Sequence, residues 1–197
     1  MITELVTAST AKALELEAVK NHLRVEIGWT DDDDYIKSLI SVSEKWAENK
    51  TGRRLINQTW KSYTDDWPAG DHITLPYMPL SSVPSTGILY KCSTGNSTTM
   101  GSTRWNADTV SEPPRVYLEY GDSWPSTSLY DYNPISIEGV YGYGSRSSDV
   151  PTPIKQGMLL MISHWYENRE PGIVGRIYSN VPKTVDSLLA DYRTNWV

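Results

Sequence analysis

Apolar side chains recur every three or four positions along residues 151–170, the spacing that one face of an α-helix requires. The stripe is formed by Ile154, Met158, Met161, Ile162 and Trp165. Pro151 and Pro153 suit a first helical turn, where a missing N–H breaks no hydrogen bond. Pro171 and Gly172 should end the helix, because the residue before a proline is driven out of the α region. Further apolar residues widen the stripe, so we expect the helix to be covered on more than one side.

Three shorter periodic stretches predict further helices. The first spans about residues 14–25 and carries its apolar face at Leu16, Val19 and Leu23. The second follows the aspartates at 31–34, whose charges suit the positive end of a helix dipole, and should stop at Gly52. The last should start at Pro182, with Val185, Leu188, Leu189 and Tyr192 on one face.

Between residues 55 and 145 the pattern changes to short alternating runs bounded by turn residues, which is typical of strands. Five runs predict strands at 58–63, 72–75, 88–92, 115–120 and 135–141. In the fourth run Val116, Leu118 and Tyr120 should share one face. The polar stretch 93–102 predicts a hairpin tip or mobile loop. Residues 1–13 show no periodicity and predict an arm.

These elements predict an α+β fold, a small bundle of about four helices with an inserted antiparallel β section. The helical parts 14–52 and 151–193 flank the β insertion at 53–150. The order therefore favours one domain over 1–197 rather than two sequential domains. The candidate core residues, which should pack together and join the early helices to the long one, are Leu39, Ile40, Trp46, Ile154, Met158, Met161, Ile162 and Trp165.

The composition of the chain argues against several classes of function. The chain has 197 residues, a formal net charge of −6 and one cysteine, Cys92. An acidic balance argues against tight binding to the DNA backbone, which normally uses a basic surface. A single cysteine excludes an internal disulfide framework. No apolar run reaches the ~20 residues that span a bilayer, and no signal peptide is visible.

The aromatic content is unusual, with 13 Tyr, 8 Trp and no Phe. Tyr and Trp combine an apolar body with a polar tip and are enriched at interfaces. Two interpretations stay open: these side chains fill the β core, or they form contacts with other molecules.

Motifs of catalysis and cofactor binding are missing from the sequence. There is no P-loop, no G-x-S-x-G and no dinucleotide fingerprint. His164 and Glu167 are one helical turn apart, but no second histidine completes a zinc pair. The aspartates at 31–34 lack the glycine and the distal glutamate of an EF-hand. We therefore assign no catalytic, metal or cofactor residues, and we expect no enzyme activity.

Five segments, in order, resemble the head-tail connector (adaptor) family of tailed phages and gene transfer agents, the HK97 gp6-like group. They are residues 16–25 (LEAVKNHLRV), 47–59 (AENKTGRRLINQT), 73–83 (ITLPYMPLSSV), 137–144 (IEGVYGYG) and 154–170 (IKQGMLLMISHWYENRE). The most specific are HLRV, the T-G-R-x-L-I-x-Q-T run and HWYENRE. Residues 93–130 match no part of the family pattern.

The resemblance implies a structural protein of the virion neck, assembled in the host cytoplasm. Roughly twelve copies would form a ring beneath the portal protein. The ring would extend the channel through which DNA passes without sequence-specific binding, and would offer a platform to a downstream stopper or tail protein. No membrane and no cofactor is implied. Two alternatives remain: a carbohydrate-binding β module of a phage tail, and a small soluble hydrolase with a site split across the fold.

The end of the chain is the candidate portal interface. Tyr, Arg and Trp are the types enriched in interface hot spots, and the segment holds Tyr192, Arg193, Trp196 and Val197. In proteins of the resembled family the C-terminal segment reaches toward the portal. We expect Trp196 to fill an apolar pocket there, with folding back onto the last helix as the alternative. We also expect acidic side chains to face the ring lumen, where they would repel DNA phosphates.

Overall fold

The computed structural model describes residues 1–169 and 183–194. The chain divides into two compact units. One contains Met1–Ser9 and Asn57–Tyr143, and is built from strands. The other contains Thr10–Ile56 and Gly144–Val197, and is helical. The α+β class is therefore confirmed, whereas the single domain with a β insertion at 53–150 stays a prediction.

Four α-helices lie in the described part of the helical unit. They are α1 (Leu16–Leu23), α2 (Asp33–Thr51), α3 (Thr152–Glu167) and α4 (Lys183–Leu189), with 3-10 turns at Ser147–Asp149 and Ala190–Tyr192. Helix α2 begins with Asp33 and Asp34 in its first turn, where negative charge suits the dipole. It ends as predicted at Gly52, whose φ of 72° is left-handed.

Helix α3 carries the predicted stripe but ends three residues before its predicted end. Ile154, Met158, Met161 and Ile162 are buried. After Glu167, both the backbone N–H and the Nδ2 of Asn168 donate to the carbonyl oxygen of His164. The side chain thus caps the helix locally. The predicted stop at 171–172, the loop at 172–180 and the start at Pro182 lie outside the described residues.

Nine strands form the other unit. They are β1 (Ile2–Thr7), β2 (Gln58–Thr64), β3 (His72–Thr74), β4 (Leu80–Ser82), β5 (Ile88–Lys91), β6 (Ser97–Thr99), β7 (Trp105–Asp108), β8 (Arg115–Leu118) and β9 (Ile135–Tyr141). One sheet has the order β1-β2-β9-β5-β6, with β4 also paired to β9, and a second has the order β3-β8-β7. All the pairs are antiparallel.

The five predicted strands are present, but four more are not among them. The predicted N-terminal arm is wrong at Ile2–Thr7, which forms β1 and pairs antiparallel with β2, with an irregularity between Leu5 and Thr7. Its residues lie at a sheet edge and are mostly exposed, so no alternation marked it. Strand β6 is polar and fully exposed, and it pairs with β5, so that residues 92–96 form the tip of a hairpin as predicted within 93–102. Tyr120 lies past the end of β8 and is fully exposed, which corrects its predicted place beside Val116.

The strand unit has its own core, to which several of the aromatic side chains belong. Tyr141 is fully buried, and the ring of Tyr77 meets it edge-on at 5.8 Å between centroids. Trp67 and Trp124 stack at 4.9 Å. A side chain at Gly139 would meet the Tyr141 ring within 2.9 Å, so the bare backbone is needed there. Part of the aromatic content therefore fills the β core.

Candidate assembly surfaces

The candidate portal segment begins with residues that contact their own unit. Arg53 Nε donates to the carbonyl oxygen of Tyr192 at 2.8 Å, and the Thr194 N–H donates to the carbonyl of Thr51 at 3.0 Å. Arg193 Nη2 lies 2.6 Å from Asp186 Oδ1. The hydrogen bond from Lys50 and the charge of Arg193 hold the pKa of Asp186 below its usual value. The segment is thus tied to the end of α2 as far as Thr194, while Trp196 and Val197 lie outside the described residues.

The eight candidate core residues are placed as follows. Leu39, Ile40, Ile154, Met158, Met161 and Ile162 are buried, whereas Trp46 and Trp165 are half-buried. The two indole rings meet edge-on, 6.4 Å apart, and α2 packs on α3. That all eight act as one cluster stays a prediction.

Three of the four aspartates at 31–34 make contacts within the helical unit. Asp34 pairs with Lys37 on the surface. Asp33 Oδ1 lies 2.5 Å from Lys20 Nζ. Asp32 faces the end of α3. Each of these three carboxylates thus has a cationic or hydroxyl neighbour, and the residues described hold no group of three or more His, Cys, Asp or Glu side chains suited to a metal ion.

Asp32 belongs to a clamp, which we define as Asp32, Tyr35, Tyr166 and Arg169. The Tyr166 hydroxyl donates to Asp32 Oδ2 at 2.7 Å and Arg169 Nη2 donates to Oδ1 at 3.1 Å. The guanidinium also lies over the Tyr35 and Tyr166 rings, at 4.6 and 5.0 Å. The hydrogen bond from Tyr166, followed by that from Arg169, lowers the pKa of Asp32. The same carboxylate raises the pKa of Tyr166.

A buried lysine is the residue that the sequence interpretation missed. Lys20 is only 2% exposed. Its Nζ donates to the carbonyl oxygens of Ile27 at 3.1 Å and Trp29 at 2.7 Å, in addition to the ion pair with Asp33. The signal was present, because Lys20 follows Leu16 by four residues and so lies on the apolar face of α1.

A cleft in the strand unit brings together two aspartates and a histidine. It has a volume of about 520 Å³ and is lined by Asp71, His72, Asp108, Arg115 and Tyr117, among others. Hydrogen bonds from Ser111, Val110 and Arg115 hold the pKa of Asp108 far below its usual range, and His72 lowers that of Asp71. At neutral pH these carboxylates are therefore ionised and engaged with their hydrogen-bonding partners.

Two observations concern other classes of site. Over residues 1–169 and 183–194, none of the helices has both the length and the apolar character to cross a bilayer. Cys92 is a free, half-buried thiol that continues from β5. Neither adds a site to those above.

Comparison with known proteins shows which family and which solved structures the chain is similar to. Residues 13–79 match the family of phage gp6-like head-tail connector proteins. No curated protein matches the sequence significantly.

Solved structures match over the whole chain. One is in the neck of an empty gene transfer agent (GTA) particle, computed with C6 symmetry. It is 25% identical and has a TM-score of 0.82, with 100% of this chain and 97% of the other covered. A chain from the virion of the native particle is 24% identical, with a TM-score of 0.80 and the same coverage. A chain from the native neck computed with C12 symmetry is 24% identical, with a TM-score of 0.74, again over 100% and 97%.

The resemblance to the connector family is thereby confirmed. Residues 13–79 carry the pattern of the phage gp6-like head-tail connector proteins, and over its whole length the chain has the fold of a gene transfer agent neck protein.

Proposed function

We propose that the protein is a structural head-to-tail adaptor of a tailed phage or gene transfer agent, located in the virion neck. The observation that carries this proposal is the match over the whole chain to a neck protein, combined with the connector pattern in residues 13–79. In this role the protein would form a ring beneath the portal, extend the DNA channel and provide a platform for the next tail component.

The ring is supported by the symmetry of the related necks, which were computed as C6 and C12 assemblies. A contact between two different surfaces of one chain, repeated by a rotation that closes, gives a cyclic oligomer. We therefore propose about twelve copies, assembled on the particle in the host cytoplasm.

The partners follow from this position. The portal protein would bind one end of the ring, through Trp196 and Val197 together with Tyr192 and Arg193. Because the last two already contact their own unit, the main anchor would be the end of the chain after Thr194. A stopper or tail protein would bind the opposite end.

The lumen should be acidic. The net charge is −6, and carboxylates facing a channel repel DNA phosphates, so DNA would pass without sticking. Binding of DNA by the ring should then be undetectable at physiological ionic strength. A lumen lined mainly by Lys and Arg would contradict this part of the proposal.

An adaptor of this kind works by assembly and not by catalysis. The cleft of Asp71 and Asp108 supports that view, because its carboxylates are committed to hydrogen bonds and ion pairs within the chain.

Removal of the gene tests the role. Particles made without the protein should contain filled or empty heads and separate tails, which electron microscopy and sedimentation distinguish. Supplying the full chain from a second copy of the gene should restore joined particles. Joined, infectious or transfer-competent particles in the absence of the protein would contradict the proposal.

A further inference from the structure

The loop between α1 and α2 presents two large apolar side chains to solvent. We call residues 25–30 the knob loop. Ile27 is 52% exposed and Trp29 is 54% exposed. A side chain added at Gly28, between them, would meet no atom within 4 Å, so the tip is open. Two exposed large apolar residues, one on each side of an open glycine, are a feature of binding surfaces.

The knob loop is held in one conformation by buried and backbone contacts. Lys20 Nζ binds the carbonyl oxygens of both Ile27 and Trp29. The Trp29 N–H donates to Glu26, and the Asp33 N–H donates to Thr30. Burying a lysine is costly unless its charge is compensated, so a buried lysine committed to two loop carbonyls indicates that the loop's shape matters. A loop already ordered before it binds loses less entropy on docking.

The same unit contains a largely apolar cavity. It has a volume of about 420 Å³ and apolar lining from Ala11, Leu14, Leu16 and Ile40. Lys12 and Lys37 lie in its wall with Glu15 and Ser41. Lys12 pairs with Glu44, whose side chain is only 15% exposed, whereas Lys37 pairs with the fully exposed Asp34. An exposed pair such as that of Lys37 exchanges partners at little cost.

We propose that the knob loop of one copy docks into this cavity on the next copy. The indole of Trp29 would occupy the apolar floor, and the acidic residues that flank the loop, Glu26 and Asp31, would approach Lys12 and Lys37. The cavity lies in the size range that encloses small ligands, about 300–1,000 Å³, so an indole ring fits. Knob and cavity are different surfaces of one chain, as a cyclic ring requires. The inference rests on the proposed ring and names the contact that closes it.

Two substitutions test opposite sides of this contact. Trp29→Ala removes the knob, and Ser41→Trp places a bulky side chain at the exposed wall of the cavity. Each should raise the dissociation constant between copies about 30-fold or more, measured by analytical ultracentrifugation of the full chain. Tyr120→Ala, which removes a fully exposed aromatic elsewhere, is the matched control and should change nothing. Circular dichroism checks that each variant is folded.

Cross-linking tests the pairing directly. On a Cys92→Ser background, the Gly28→Cys and Ser41→Cys variants should form a disulfide-linked dimer when mixed, in solution and in assembled necks, and much less when either is oxidised alone. Rings that form without this cross-link, or that Trp29→Ala leaves unchanged, overturn the docking but leave the adaptor role intact. A chain that neither cross-links nor forms any ring overturns both.

Discussion

At the scale of single residues, the fold depends on a charge that has no contact with bulk water. Lys20→Met should lower the free energy of unfolding by about 3 kcal/mol, because Asp33 and two loop carbonyls lose their partner. Chemical denaturation measures the change. Lys45→Met is the control, since Lys45 is exposed and forms only a long ion pair. Equal effects of the two substitutions would contradict the role given to Lys20.

A second residue-scale prediction concerns pH. The folded-state pKa of Asp32 is lowered by Tyr166 and Arg169. A carboxyl group with a depressed folded pKa stabilises the fold above its unfolded pKa of about 3.9, and that stabilisation is lost as the pH falls through the folded value. The stability difference between the wild type and Asp32→Asn should therefore be constant near neutrality and shrink below about pH 4.

Tyr166→Phe gives the control for this titration, because it removes the hydroxyl that contributes most to the shift. In that background the pH dependence attributed to Asp32 should be smaller. If Asp32→Asn changes stability equally at pH 3 and pH 7, the clamp does not bind the charged carboxylate.

At the scale of elements, α3 is the centre of the helical unit. Ile162 is fully buried, so Ile162→Ala should cost about 2–5 kcal/mol through lost transfer energy and the cavity left behind. Leu160→Ala, at a half-buried position of the same helix, should cost less. An unchanged melting temperature for Ile162→Ala would mean that the buried face is wrongly assigned.

Two truncated chains test the role of the C-terminal segment in portal binding and in stability. A chain ending at Thr194 keeps the ion pair of Arg193 and the backbone bond to Thr51. It should fold normally and bind the portal about 30-fold or more weakly, because it lacks Trp196. A chain ending at Tyr192 also loses those two contacts, so it should be less stable as well.

Portal affinity and melting temperature, measured together, separate the two roles. Binding of the chain ending at Thr194 as tight as that of the full chain would exclude Trp196 and Val197 as the anchor. If the chain ending at Thr194 binds the portal normally and the chain ending at Tyr192 does not, the anchor is instead formed by Arg193 and Thr194.

The long elements with one buried face were predictable from sequence, whereas the exposed strands at the sheet edges were not. The stripe of α3 and the alternation of β9 each report a periodic boundary between core and solvent. Strands β1 and β6 lie at the two edges of their sheet, with few buried side chains. Their pairing is fixed by backbone hydrogen bonds to a neighbour distant in sequence, which leaves no local pattern.

The candidate surfaces also differ in how far the sequence alone could predict them. The Tyr, Arg and Trp of the C-terminus stood out by residue type alone. The knob loop did not stand out, because its conformation depends on a hydrogen bond from Lys20, which lies seven residues before Ile27. Side-chain networks of this kind join positions that no periodicity links.

At the scale of the whole molecule, we propose that the protein functions by assembling with copies of itself. Its described residues show carboxylates engaged in structural contacts, an exposed apolar loop and a largely apolar cavity in the helical unit. These features suit a chain that binds copies of itself and its neighbours in a particle. The similar chains come from necks computed with C6 and C12 symmetry, and a ring is the form of assembly that we propose for this chain.

Imaging of the particle neck tests the proposed position of the protein in the virion. A peptide tag inserted at the exposed turn of Gly95, labelled with gold and viewed by electron microscopy, should mark the portal vertex. Averaged neck images should show a ring with about twelvefold rotational symmetry, with the label around it. Label found on the capsid faces, on the tail tip or only in unassembled protein would contradict the account.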